Sequence, residues 1–313
     1  MATCEGLGSA LVRVTTSQPG VNPAPQFRHH QNMSETLDTV YLNGNFLPIA
    51  QAKISPLDRG FLFGDAAYEV IPVFSGKPLL VDAHLKRLAR SLGELRILNP
   101  NSETQWKTVI TELIERNGAG DLALYIQVSR GADNGRNHVF PDNVESTVFS
   151  MVTKLAGNDL ASGITAITLP DNRWGRCDIK STALLANVLA RQKAYEADAD
   201  DAILIWNGEV TEAAVSSVII IEKGTLVRRP NGREILPGTT TDHVVALAAE
   251  AGLNCQEEVI SESRLRSAEE IWLTNATKGI APVVQLDDEL IGNGVPGPVW
   301  RQLITLYENY KRD

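Results

Sequence analysis

RCDIKSTALLANVLARQ (residues 176–192) sets Lys180 between a short strand-like segment and an amphipathic helical pattern. A lysine at such a junction can be held partly out of water, which disfavours its ammonium form and leaves the amine free to attack a carbonyl and form a Schiff base. Downstream, the tripeptide VTE ends at Glu212. A carboxylate there is the partner that a pyridinium nitrogen needs if a bound ring is to act as an electron sink.

The 313 residues, 43% hydrophobic and 21% charged, are ordinary globular material and enough for two domains. A net charge of -9 with no run of Lys or Arg argues against nucleic acid and anionic membranes as partners. A small anionic ligand would then need a locally basic pocket. Cys4, Cys177 and Cys255 are far apart with no CxxC spacing, so neither a zinc site nor a disulfide framework is expected, and a reducing compartment fits. No apolar stretch approaches the ~18–20 residues of a transmembrane helix.

Residues 1–33 differ from the rest, being rich in Gly, Ser, Thr, Pro and Gln, with Glu5 as their one acid. Pro19, Pro23 and Pro25 oppose an amphipathic targeting helix. The stretch is expected to be a disordered or upstream-extended start, with Met33 as the functional beginning and a targeting role as the other reading. His29 and His30 lack the further convergent groups of a metal site.

From Tyr41 the text alternates around Asn43-Gly44, a tight-hairpin dipeptide. Strands are expected at Tyr68–Phe74, Leu122–Arg130 and Ser146–Thr153, and helices at Asp82–Leu95, with Asp82 as N-cap, and Trp106–Arg116. These make a small α/β domain over 34–157. Asn158–Gly163 reads as a linker, and 164–313 as a larger domain. There, strands are expected near Ile164–Leu169, Ala202–Trp206, Val215–Glu222, Cys255–Ile260 and Glu270–Asn275, with helices at Ser181–Ala197, Thr240–Ala251 and Val299–Lys311. The stretch PGTTTD (237–242) precedes a helix, whose N-terminal N–H groups and hydroxyls suit a phosphate.

Six motifs occur in order: DRGFLFGDAAYEV (58–70), HLKRL (84–88), RCDIKS (176–181), VTEAAVSS (210–217), ILPGTT (235–240) and WLTNATKGIAPV (272–283). With them the chain resembles, from Tyr41 to its C-terminus, the fold-type IV (class IV) pyridoxal-phosphate enzymes, and among these most nearly the D-amino-acid transaminases. The resemblance implies an α/β (α+β) fold with a small N-terminal domain and a larger, β-barrel-like C-terminal domain carrying helices. It implies pyridoxal 5'-phosphate as cofactor and a cytoplasmic homodimer. Lys180 would be the Schiff-base lysine and general acid/base, and Glu212 would hold the pyridine nitrogen protonated. Arg87 would clamp the cofactor phosphate, where a guanidinium fork fits better than an ammonium, with Thr239 and Thr240 beside it. Leu236 would pack on the ring face. Ala276 stands where the family has a phosphate-binding threonine-rich turn, so its backbone would serve, with Asn275 or Thr277 as substitutes.

Substrate choice turns on the carboxylate. In SRGADNGRNHVF (129–140), Arg136 and His138 resemble the carboxylate trap of D-amino-acid transaminases, which works with a tyrosine matched by Tyr68. Two donors two residues apart on a loop can give a charge-assisted carboxylate site. Branched-chain enzymes carry Gly and Arg where this chain has Val70 and Pro72, while D-amino-acid transaminases often have Lys at Pro72. The expected reaction is transfer of the amino group of a D-alanine-like amino acid to a 2-oxo acid such as 2-oxoglutarate, by a ping-pong cycle. A branched-chain aminotransferase, an (R)-amine transaminase or an aminodeoxychorismate lyase are alternatives on the same fold. A non-catalytic pyridoxal-phosphate-binding protein is the alternative of another class.

Overall fold

In a computed structural model of the chain, the described residues are 35–312 apart from Ala119, Ala156, Asn158 and Asp159. The expected N-terminal extension with Met33, and two residues of the expected linker, lie outside them.

The first sheet contains β1 (Thr39–Leu42), β2 (Asn45–Pro48), β3 (Ala66–Phe74), β4 (Lys77–Pro78), β5 (Leu122–Ser129) and β6 (Thr147–Lys154). Its order is β2-β1-β6-β5-β3-β4 and every pairing is antiparallel. Asn43 (φ 47°) and Gly44 (φ 90°) both take positive φ, as the two-residue turn joining β1 to β2 requires. The short α1 (Arg59–Phe63) leads into β3, and α2 (Val81–Glu94) and α3 (Glu103–Arg116) cover one face. Strand alternation sends Ala67, Ile71 and Val73 of β3 into a core with Leu85, Leu88 and Leu92 of α2 and Ile110 and Leu113 of α3. Glu69 shares that parity, so β3 carries one carboxylate into the layer that faces α2.

The second sheet contains β7 (Ile164–Pro170), β8 (Asp201–Trp206), β9 (Glu209–Ala213), β10 (Ser217–Glu222), β11 (Thr225–Arg228), β12 (Cys255–Glu257), β13 (Glu270–Asn275), β14 (Gly279–Leu286) and β15 (Glu289–Leu290). Its order is β12-β11-β10-β13-β14-β7-β8-β9, with β15 on β14. The helices are α4 (Leu185–Glu196), α5 (Thr239–Glu250), α6 (Glu262–Ser267) and α7 (Pro298–Tyr310). β10 shows why the sheet is buried on both sides. Val218 and Ile220 join an inner core with Ile203, Val210, Ile271, Leu273 and Val283, whereas Ile219 and Ile221 face Val244 of α5 and Leu303 of α7. The sheet also curls on itself. Val210 N donates to Ile260 O (2.8 Å) and Glu262 N to Gly208 O (2.9 Å), joining edge strand β9 to the segment after the other edge, β12. The architecture is therefore mixed α/β (α+β), with a barrel-like second sheet.

Three expectations on elements need correction. Asp82 is not the N-cap of α2: Leu80 is, in the left-handed region (φ 54°), and Asp82 lies in the first turn. The strands β9, β11 and β14 were not expected, although Asn207-Gly208 ahead of β9 has the same positive-φ hairpin geometry as Asn43-Gly44. The helix expected from Ser181 begins at Leu185. Its lost first turn is extended chain hydrogen-bonded to β3, with Tyr68 N donating to Lys180 O (3.0 Å) and Thr182 N to Ala66 O (3.0 Å).

Candidate active site

That extended segment places Lys180 against the sheet. Its own N–H donates to the Ser91 hydroxyl of α2 (3.1 Å), so main chain on both sides fixes the lysine's Cα. The side chain is partly buried, and its Nζ stands 4.1 Å from the centroid of the Tyr68 ring. Tyr68 stacks in turn on Tyr125, with centroids 5.6 Å apart. An amine over an aromatic face keeps its charge partly compensated without a covalent or ionic partner.

One residue along β3, on the other face, Glu69 is fully buried and accepts from Arg87 Nε (2.7 Å) and Nη2 (2.8 Å) and from His84 Nδ1 (2.8 Å). Burial alone would raise its pKa, but the Arg87 guanidinium and the His84 hydrogen bond outweigh it and bring it down to about 2. His84 is held below its ordinary value, first by burial and then by the charges of Arg87 and Lys180, against the pull of Glu69. It is therefore a neutral imidazole that donates from Nδ1, leaving Nε2 to accept from the Thr239 hydroxyl at a long 3.4 Å. Arg87 Nη1 also donates to Pro237 O (2.7 Å). These contacts engage three of the guanidinium's five N–H donors and leave two for a ligand.

Pro237 opens the turn into α5. Gly238 is its N-cap and supplies no capping side chain, so the first N–H groups of Thr239 and Thr240 are presented outward at the positive end of the helix. A Cβ on Gly238 would stand 2.5 Å from Thr241 Oγ1 and 2.8 Å from Ser217 Oγ, so the turn closes this tightly only around glycine. Leu236, on the other side of Pro237, donates its N–H to Glu212 Oε2 (3.2 Å).

Glu212 is buried on β9 and is also bound by Arg173 Nη1. Burial pushes its pKa up despite Arg173. Arg173 is itself held in a fork by Asp171, through Nε (2.9 Å) and Nη2 (2.6 Å). Glu212 is thus a buried carboxylate whose ionised form is incompletely compensated, and a further cation beside it would relieve the deficit. Ala276 lies in the turn between β13 and β14. There the Thr277 hydroxyl (3.2 Å) and the N–H groups of Thr277 (3.1 Å) and Lys278 (2.8 Å) all donate to Asn275 Oδ1. The turn is therefore braced by its own side chains.

The residues expected at the site are brought together unequally. Lys180 touches Tyr68. Arg87 and Thr239 are linked through Glu69 and His84, Arg87 reaches Pro237, and Leu236 reaches Glu212. Arg136 and His138 lie elsewhere, exposed on the loop between β5 and β6, with the Arg136 guanidinium 4.9 Å from the Phe63 ring and the His138 ring 5.1 Å from it. Glu69, His84, Asp171 and Arg173 were missed in the sequence reading. The signal for the first two was His84 and Arg87 three apart on one helix face, opposite a strand whose inward parity includes an acid.

The chemistry of this donor set fits pyridoxal phosphate. It offers an amine for a carbonyl, a buried under-compensated carboxylate for a pyridinium, and a guanidinium with spare donors beside an uncapped helix N-terminus for a phosphate.

Comparison with known proteins places the chain. The profile described as amino-transferase class IV matches residues 66–286. The chain is 36% identical to the D-alanine aminotransferase of Bacillus licheniformis over 272 residues, 86% of this chain and 96% of that one. It is 35% identical to that of Staphylococcus haemolyticus, over 87% of this chain and 97% of the relative. Its fold matches the Escherichia coli branched-chain amino acid aminotransferase with a TM-score of 0.81 at 22% identity, covering 87% of this chain and 94% of that one. The T.th. branched-chain amino acid aminotransferase with pyridoxamine 5'-phosphate also gives 0.81, at 24% identity, covering 88% and 94%. A profile match over most of the chain, with relatives above 30% identity along nearly their whole length, settles the family: the chain belongs to the class IV aminotransferases.

Proposed function

We propose that the protein transfers the amino group of a D-amino acid such as D-alanine to a 2-oxo acid such as 2-oxoglutarate, with pyridoxal phosphate as cofactor. One arrangement carries the reading: the Lys180 amine lies over Tyr68 on a segment fixed to β3, next to the Glu69–Arg87 pair that reaches Pro237. The choice of a D-amino acid is supported by the 36% and 35% identity to D-alanine aminotransferases and by the Arg136-x-His138 pair.

Pyridoxal phosphate supplies an electron-withdrawing ring that takes up the electron pair left when a Cα–H bond breaks. This chain's residues do the rest. Lys180 would hold the cofactor through its amine and, once released, would take the proton from the substrate Cα and deliver it to the cofactor carbon C4′. The Tyr68 face confines the arc of that amine. Glu212 would keep the ring nitrogen protonated, and Arg173, anchored by Asp171, fixes the carboxylate's direction. Arg87, Thr239 and Thr240 would hold the phosphate, with the backbone at Ala276 adding to that site, and Leu236 would pack by the ring. Arg136 and His138 would donate to the substrate carboxylate, with Tyr68 as third partner.

The functional unit in this reading is a cytoplasmic homodimer with a small domain over 34–157 and a larger one over 164–313. Support for the dimer is an exposed apolar surface: Phe61 of α1 and Leu185, Val188 and Leu189 on one face of α4. The Thr182 hydroxyl donates to Gly64 O (3.2 Å), so the end of α1 adjoins the start of α4. Among the described residues, no helix is long and apolar enough to cross a membrane.

The test is product analysis with D-alanine and 2-oxoglutarate. Pyruvate and glutamate should form in equal amounts, and Lys180→Ala should abolish both. Glutamate formation that survives Lys180→Ala without added amine refutes the assignment.

A further inference from the structure

Arg59 lies at the start of α1 and is 3% exposed, yet it belongs to neither the Lys180 cluster nor the hydrophobic core. Its Nε donates to Asp65 Oδ2 (2.9 Å). The rest of the guanidinium is spent on one loop: Nη1 donates to Asn137 O (2.5 Å) and Val139 O (3.4 Å), and Nη2 to His138 O (3.3 Å). Three successive carbonyls are thereby held by one side chain.

The loop is gripped at its neck as well. Arg59 N donates to Gly131 O (2.9 Å), and Asp58 bridges Ala132. Gly131 has φ 103°, and a Cβ there would collide with Glu145 O, so the two ends of the loop meet at a point that tolerates only glycine. Asp65 is in turn fixed by Arg130 through Nε (2.8 Å) and Nη2 (2.9 Å). Burial would raise the Asp65 pKa, but the guanidinium groups of Arg130 and Arg59 hold it below the ordinary carboxylate range, so the anchor stays ionised at neutral pH. One turn beyond Arg59, the Phe63 ring lies 4.8 Å from the Arg59 guanidinium and 4.9 Å from that of Arg136.

We infer that Arg59 is the positioning residue of the carboxylate-binding loop: by holding the carbonyls of residues 137–139 it sets the directions in which Arg136 and His138 leave the backbone. The inference rests on the reading of Arg136 and His138 as the carboxylate trap. Lysine cannot replace arginine here. An ammonium is a point charge with three donors, whereas Asp65 and the three carbonyls are reached by a planar fork with five. Because the amino acid and the oxo acid both carry an α-carboxylate, a displaced loop weakens both substrates together. Lys180, Glu212 and Arg87 are untouched, so turnover at saturation stays.

The experiment compares Arg59→Lys, Phe63→Leu, Arg136→Ala and the double variant Arg59→Lys/Arg136→Ala in the holoenzyme. Phe63→Leu keeps the Arg59–Asp65 pair and serves if Arg59→Lys fails to fold. Arg59→Lys should raise KM for both substrates about tenfold with kcat within about twofold and the cofactor absorption band unchanged. In the Arg136→Ala background it should add clearly less than in the wild type, because only His138 is then left to be displaced and residues acting through one loop are not additive. A general folding defect would move the melting temperature or cofactor binding and persist in the double variant. If Arg136→Ala raises KM while Arg59→Lys and Phe63→Leu do not, the positioning role is overturned and the trap stands. If Arg136→Ala leaves both KM values unchanged, the trap reading fails and this inference fails with it.

Discussion

Replacing Glu69 with Gln tests the electrostatic design beneath the proposed phosphate site. The carboxylate is fully buried and is bound through both its oxygens by Arg87 and His84. Its pKa is lowered from an ordinary 4.5 to about 2. At 1.36 kcal/mol per pH unit this difference corresponds to about 3 kcal/mol of folding stability. The same scale, roughly 3–5 kcal/mol, is expected for removing one partner of a buried ion pair. Because the folded pKa is depressed, the stabilisation is present above the unfolded value of 4.5 and is lost as pH falls towards 2. Urea unfolding of wild type and Glu69→Gln at one protein concentration should show the variant less stable by about 3 kcal/mol at pH 7. The gap should narrow as pH falls from 4.5 towards 2, because Glu69 of the unfolded chain takes up its proton first while the native carboxylate stays ionised until about 2. A deficit under about 1 kcal/mol at pH 7, or one that is the same at pH 7 and about pH 3, refutes the reasoning.

Other parts of the site give separate expectations. Glu212→Gln keeps the shape of the side chain but removes the charge, so kcat should fall by about 10²-fold or more while cofactor stays bound, as for other lost charge-stabilising contacts in buried sites. Retained kcat would remove Glu212 from the ring-nitrogen role. Gly238→Ala puts a Cβ 2.5 Å from Thr241 Oγ1, and opening the turn should cost about 1–3 kcal/mol, read as a lower melting temperature and weaker uptake of added pyridoxal phosphate. Unchanged uptake would mean that the turn into α5 does not receive the phosphate.

How far the sequence reaches depends on the range of each contact. Local signals carry well: Asn43-Gly44 marks its hairpin, and the leucine spacing marks α2, because both depend on a few adjacent residues. The fold class followed from ordered motifs. The start of α4 was misplaced because Ser181 and Thr182 have helix-compatible neighbours but pair with β3 from more than a hundred positions away. Asn207-Gly208 carries a hairpin signal of the same kind as Asn43-Gly44, so β9 was legible in principle, although the strand is short and its VTE tripeptide reads as readily as chemistry. The Glu69–His84–Arg87 and Asp171–Arg173–Glu212 clusters depend on how β3 lies over α2 and on how the segment after β7 lies by β9. No periodicity encodes either. Arg59 shows the same limit: nothing in DRGFLFGD says that the arginine turns towards carbonyls nearly eighty residues later.

The measurement closest to the central claim is the visible absorption spectrum of the purified holoenzyme, followed after separate additions of D-alanine and L-leucine with no oxo acid present. D-Alanine alone should convert the band of the lysine-bound cofactor to that of its pyridoxamine form, with Lys180→Ala lacking the starting band. Conversion by L-leucine alone would contradict the reading of Arg136 and His138 and make the protein a branched-chain enzyme with an altered pocket. A protein that takes up no pyridoxal phosphate would contradict the account at its root.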